Sequence, residues 1–156
     1  MTPRIEAWRA EAAALRAHHP RHILFLCVAN SARSQMAEGI ARSLAPGSVT
    51  VSSAGSAPSI VRPQAIQVLE EIGVDISGHT SKGLDAVDAA SVEAVITLCA
   101  EEVCPVFFGK VHRLHWGLPD PAAVTGPEEV RLEAFREVRD ELVRRMNVLF
   151  ERMRGA

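Results

Sequence analysis

The run Ile23-Leu24-Phe25-Leu26-Cys27 constrains this chain more than any other feature. Consecutive apolar residues without alternation suit a strand covered on both faces, and such strands belong to parallel sheets. Parallel neighbours cannot be joined by a tight turn, so helices must carry the chain back between strands. The sequence supplies them. A polar loop follows Cys27, Gln35 to Leu44 reads as a helix stopped by Pro46-Gly47, and Val49 to Ser53 reads as a second strand broken at Ala54-Gly55. Pro63 to Ile72 is predicted as a helix with Gly73 as its stop. Thr80 to Ala90 fits one or two short helical turns, Val92 to Cys99 a third buried strand, and Lys110 to Trp116 a weaker fourth. Pro127 to Met153 reads as one long helix, with Pro127 in its first turn and Leu132, Phe135, Val138, Leu142, Val143 and Leu149 on its buried face.

The expected fold class is therefore α/β: three layers, with a four-stranded parallel sheet flanked by helices. Ligands of such sheets sit beyond the carboxyl ends of the strands, where strand order reverses. Cys27 and Cys99 each close a buried strand at that end. Ahead of this body, Pro3 to His18 carries Ile5, Trp8, Ala12 and Leu15 at helical spacing, with Thr2 as a possible N-cap. The reading divides the chain into an N-terminal helical extension, residues 1–21, and a catalytic domain, residues 22–156. No repeat or linker interrupts it.

A chain of 156 residues can bury a sizeable core without disulfide or metal staples. A net charge of −2 gives no polyanion-binding surface, so no nucleic-acid partner is expected. Apolar stretches such as Ala94 to Ala100 are too short to cross a bilayer, and the charged, amphipathic start is no export signal. Three cysteines, an odd number, argue for thiols kept in a reducing compartment, so the expected location is the cytoplasm, with no membrane partner. The six histidines lack paired ligand spacing, and Cys99-x4-Cys104 without a second pair is not a zinc site. Neither a metal nor a cofactor is expected.

Chemistry concentrates in Cys27-Val28-Ala29-Asn30-Ser31-Ala32-Arg33-Ser34, between the first strand and its helix. A loop so placed can aim several backbone amides into one concavity, to which the helix adds its positive end. Such a nest suits a tetrahedral oxyanion. Arg33 offers a guanidinium fork to two of its oxygens. The same field favours the thiolate of Cys27, making it a nucleophile at neutral pH. Ser34 can donate its hydroxyl to that sulfur, and Asn30 can bond within the loop and tolerates left-handed backbone angles.

The loop resembles the phosphate-binding loop of the low-molecular-weight protein tyrosine phosphatase family, and more closely that of its relatives, the thioredoxin-coupled arsenate reductases. The resemblance runs from Ile23 to the last helix, leaving out Met1 to Arg21. It includes Ser34-Gln35-Met36-Ala37-Glu38-Gly39, Ser53-Ala54-Gly55, Asp75-Ile76-Ser77, His79-Thr80-Ser81, Val95-Ile96-Thr97-Leu98-Cys99, Cys104-Pro105, His115-Trp116-Gly117 and Asp120-Pro121.

The resemblance implies an activity and roles. Asp120 would be the general acid that protonates the departing oxygen. Arsenate would form an adduct on Cys27, Cys99 would attack the Cys27 sulfur and expel arsenite, and Cys104 would take over Cys99, leaving a disulfide for thioredoxin or a similar dithiol. Phosphate and sulfate would compete for the loop. The gap between Cys99 and Cys104 is shorter than is usual in these reductases. Some relatives hold potassium near the loop; Asn30, Glu38 and Ser53 match three of its ligands, and Lys82 stands where an Asp is expected. The Lys82 ammonium, paired with Glu38, is expected to take the cation's place. The alternatives are a phosphatase acting on small phosphomonoesters or phosphotyrosine, and an anion sensor without turnover. Against the phosphatase, Ala122 and Ala123 follow Asp120 where aromatic residues would wall a phosphotyrosine ring, and the chain has no tyrosine.

Overall fold

A computed structural model describes residues 6–100, 105–107 and 109–151. Four parallel strands, β1 (His22–Cys27), β2 (Thr50–Gly55), β3 (Ala94–Cys99) and β4 (His112–Leu118), form one sheet in the order β2-β1-β3-β4. The helices are α1 (Ala7–Ala17), α2 (Arg33–Leu44), α3 (Pro63–Glu70) and α4 (Glu128–Leu149). Single 3-10 turns at Leu84–Ala86 and Ala89–Ser91 stand where short helical turns were expected, and a third lies at Pro121–Ala123. The chain leaves β1 toward β2 on one side and returns to β3 on the other, so order reverses between β1 and β3. Cys27 and Cys99 end those two neighbouring strands.

Side chains of a strand alternate between faces, and registers Ile23↔Val51 and Leu26↔Ala54 sort them consistently. Ile23, Phe25, Val51, Ile96, Leu98 and Trp116 join one core with the apolar stripes of all four helices. Leu24, Leu26, Ala54 and Val95 form a smaller core on the other face, closed by Phe107 and the partly buried Leu84, Val87 and Val111. The sheet is thus covered on both faces, by helices on one and by the turns around residues 84–91 and Phe107 on the other.

Element ends follow local chemistry. Residue His19 takes φ +51° and Pro20 follows, which stops α1. Gly73, φ +79°, ends the turn after α3. Pro127 is the residue before α4 rather than inside its first turn, a shift of one position that leaves its role unchanged. On α4 the core-facing stripe is Leu132, Phe135, Val138, Leu142, Met146 and Leu149, while Val143 lies at its edge. The extension's Trp8, Ala12 and Leu15 are buried, and Trp8 meets Trp116 of β4 edge-on at 6.3 Å between ring centres. Thr2, Pro3 and the tail beyond residue 151 lie outside the described residues.

Candidate active site

The segment from Cys27 to Arg33 crosses the reversal point of the sheet. Its carbonyls are held outward. Those of Val28, Ala29 and Ser31 accept from the amides of Ala57, Ser59 and Arg62 at 2.9, 3.2 and 2.8 Å, and that of Asn30 accepts from Gln35 Nε2 at 3.2 Å. Ser81 Oγ adds a second bond to Ala29 O at 2.9 Å. In a planar trans peptide the N–H points opposite to the C=O. The amides of Ala29, Asn30, Ser31 and Ala32 therefore face away from these partners. The Ala32 carbonyl begins α2 by accepting from Met36 N at 2.9 Å, so α2 starts directly on this loop.

Two backbone features make the turn possible. Asn30 takes φ +47°, a conformation Asn adopts more readily than most residues. Gly55, at the end of β2, lies so close that a Cβ there would sit 2.3 Å from Val28 O. Only glycine allows that approach.

Hydrogen counting orders the side chains. Asn30 Nδ2 donates to Ser34 Oγ at 2.7 Å and to Ser53 Oγ at 2.9 Å, which uses both its hydrogens. Ser34 Oγ thus receives one bond and lies 2.9 Å from Cys27 Sγ, to which it donates its own proton when that sulfur is a thiolate. Ser53 directs its proton at Glu38 Oε1, 2.5 Å away. Asn30 Oδ1 accepts from Gln35 Nε2 and from Lys82 N, both at 2.9 Å. Asn30, Ser34 and Ser53 are fully buried and Glu38 nearly so, so this network is shielded from water.

Glu38 ends the network. Lys82 Nζ approaches its Oε1 at 3.5 Å, but Arg42 makes the closer contact, 2.8 Å to Oε2. His79 Nε2 lies 3.8 Å from the same carboxylate. His79 Nδ1–H donates to Gln35 Oε1 at 3.0 Å, which leaves Nε2 to accept from Arg42 at 3.3 Å. Burial pushes the His79 pKa down, outweighing the upward pull of Glu38, in keeping with a neutral ring. Sequence reasoning did not name Arg42 as part of the site. Its spacing of four from Glu38 on one helix was the available signal.

Arg33 is 4% exposed and reaches across the carboxyl ends of the sheet. Its guanidinium donates to Leu118 O at 3.1 Å and Leu98 O at 3.5 Å, and lies 3.9 Å from Asp120 Oδ2. Asp120 is partly exposed and accepts from Ala122 N at 3.0 Å, which fixes the 3-10 turn behind it. Cys27 is a free thiol and Cys99 is disulfide-bonded; both are buried. Cys104 lies outside the described residues. The structure thus brings together Cys27, Asn30, Arg33, Ser34, Glu38, Ser53 and Lys82, with Asp120 beside Arg33 and Cys99 on the adjoining strand. Among the described residues no group of His, Cys, Asp and Glu side chains could hold a metal ion.

Comparison with known proteins points the same way. Arsenate reductases of Halalkalibacterium halodurans and Bacillus subtilis are 41% and 40% identical to this chain over 131 residues, which is 83% of it and 94% of each of them. A solved arsenate reductase in the phosphate-binding state superposes with a TM-score of 0.70 at 36% identity, covering 85% of this chain and 98% of that one. A thioredoxin-dependent arsenate reductase from Corynebacterium glutamicum superposes with a TM-score of 0.58 at 31% identity, covering 86% of this chain and 66% of that one. Residues 22–155 match the low molecular weight phosphotyrosine protein phosphatase family, and the chain belongs to that family, among its arsenate reductases.

Proposed function

We propose that the chain reduces arsenate to arsenite with its own thiols. The observation that carries this reading is the free Cys27 sulfur, in hydrogen-bond contact with the Ser34 hydroxyl at 2.9 Å and set one strand from Cys99. Cys27 attacks arsenic, and one arsenic oxygen leaves as water after taking a proton from Asp120. Arg33 and the loop amides hold the remaining oxygens. Once its disulfide has been reduced, the Cys99 thiolate attacks Cys27 Sγ. An S–S bond forms, the S–As bond breaks, and its electron pair stays on arsenic, which leaves as arsenite. Two thiols have lost two electrons and arsenic has gained them. Cys104 attacks Cys99 next, freeing Cys27 and leaving a Cys99–Cys104 disulfide for an external dithiol.

The thioredoxin-dependent relative supports a thioredoxin-like reductant, and the phosphate-binding state of another supports phosphate as a competing anion. Chemistry that starts from reduced thiols suits the cytoplasm. Among the described residues no helix is long and apolar enough to cross a membrane. Lys82 beside Glu38 is read as the internal cation that anchors the Asn30–Ser53–Glu38 network, so turnover should be equal in sodium and potassium buffers. The extension, residues 1–21, is read as a structural addition to a catalytic domain of residues 22–156.

The test is arsenite production with a thioredoxin system. Cys27→Ser and Cys99→Ser should each abolish it, the second because arsenite leaves only when Cys99 attacks the adduct. Unchanged turnover in Cys99→Ser would refute the relay.

A further inference from the structure

The side chain of Glu38 is 5% exposed, and its two oxygens have different close partners. Oε1 accepts the Ser53 proton at 2.5 Å, and Oε2 meets Arg42 Nη2 at 2.8 Å. The Arg42 guanidinium reaches two further elements. Nη2 also donates to Val51 O of β2 at 3.0 Å, and Nη1 donates to His79 Nε2 at 3.3 Å. One cation thus ties α2, β2 and the loop carrying His79 to the end of the network. Lys82 stays farther off, its Nζ 3.5 Å from Oε1 and 3.4 Å from Thr80 O. A buried carboxylate without a close cation is strongly destabilising, so Arg42 is what keeps Glu38 charged and in place.

That charge sets the direction of the bonds that lead to sulfur. A carboxylate only accepts, so the single Ser53 proton goes to Glu38 and the Ser53 oxygen is left to accept from Asn30 Nδ2. This fixes which end of the Asn30 amide faces the hydroxyls. Nδ2 serves Ser53 and Ser34, while Oδ1 accepts from Gln35 Nε2 and Lys82 N. Ser34, having accepted from Asn30, keeps its proton for a Cys27 thiolate 2.9 Å away. We propose that Arg42 is a positioning residue for Cys27: by holding Glu38 as a carboxylate at the far end of the network, it sets Asn30 and Ser34 so that a hydrogen bond is ready for the thiolate. Arg42 acts through Glu38, Ser53, Asn30 and Ser34, and its role lies in the rate at which the sulfur reacts. This rests on the reading of Cys27 as the nucleophile, whatever its substrate.

The experiment alkylates the full chain with iodoacetamide and reads the rate at the Cys27 peptide by mass spectrometry. Arg42→Met should slow the reaction at neutral pH by about three- to tenfold, since part of the hydrogen bond to the thiolate is lost. At high pH, where the thiol is ionised in either chain, the two rates should converge. In a Ser34→Ala background, Arg42→Met should change the rate by less than about twofold, because the bond it prepares is already gone. Arg42→Lys, which keeps a cation near Glu38, should lose less than Arg42→Met. The Arg42 side chain is 55% exposed, so neither substitution at this position opens a cavity in the core. A neutral-pH rate in Arg42→Met within about twofold of the wild type would overturn the proposal. So would a slowing that persists at high pH, one of equal size with and without Ser34, or one as large in Arg42→Lys. Alkylation needs neither arsenate nor electron transfer. The expected pattern in a chain that makes no arsenite would therefore sink the reductase reading and leave this one standing.

Discussion

Asn30 has two amide hydrogens, and the hydroxyls of Ser34 and Ser53 each accept one. Toward a Cys27 thiolate, which can only accept, Ser34 is the donor across the 2.9 Å contact. A hydrogen bond to a charged sulfur contributes about 1.5–3 kcal/mol. Ser34→Ala should therefore slow adduct formation by roughly 10–100-fold, read as the rate of the first turnover with excess arsenate. A rate within a factor of about two of the wild type would remove Ser34 from the chemistry. At Glu38 the network ends among Lys82, Arg42 and His79. Lys82→Met should lower activity in sodium buffer and recover part of it in potassium, whereas equal loss in both would show that Lys82 stands in for no cation. The spacing Cys27 to Arg33 and the tolerance of Asn30 for positive φ were legible in the sequence, because both are local. So was the Arg42–Glu38 pair, through its spacing of four, though it was passed over; the contact of His79 with Glu38 was not legible, since His79 comes from a distant loop and nothing local fixes its distance.

Among the elements, β2 limits the site through Gly55. A Cβ there meets Val28 O at 2.3 Å and Asn30 N at 2.9 Å, both backbone atoms that cannot swing aside. Gly55→Ala should displace the loop and cut arsenate turnover more than it lowers Tm; full activity would contradict the tight packing. Helix α1 is a different case. Trp8 is 7% exposed, touches Trp116, and lies with Arg9, Arg144 and Arg145 within 4.7, 5.2 and 5.2 Å of its ring centre. Trp8→Ala should destabilise the fold by about 3 kcal/mol or more, measured by denaturant unfolding. Periodicity made α1 and its apolar stripe readable. It did not reveal that the stripe packs on α4 and β4, because an amphipathic helix does not name the face that will receive it.

For the whole molecule, the strand order β2-β1-β3-β4 places the reversal of direction beside Cys27. The parallel class was legible from unbroken apolar runs, but the pairing order was not, since any buried strand of that composition could occupy a central position. The pH dependence of stability also belongs to this scale. Burial pushes the pKa of His22 and of His79 below the ordinary 6.5. An unfolded chain then binds protons that the folded one refuses, so stability should fall as pH drops below 6.5 toward the lowered values. Substituting Gln at His22 should flatten that slope. Glu71 acts in a lower window. Hydrogen bonds from Arg136, then Arg139, hold its carboxyl at about 2 instead of 4.5. The stability it contributes is complete above 4.5 and is lost as pH falls through about 2. Acid titration of Glu71→Gln should lack this component.

The central claim is that electrons reach arsenic from Cys27 and Cys99, and a single turnover of Cys104→Ser tests it most directly. With reduced enzyme, excess arsenate and no reductant, the account predicts one arsenite per chain and a Cys27–Cys99 disulfide in the peptide mass map. Arsenite without that cross-link, or no arsenite from a chain that still binds phosphate, would contradict it.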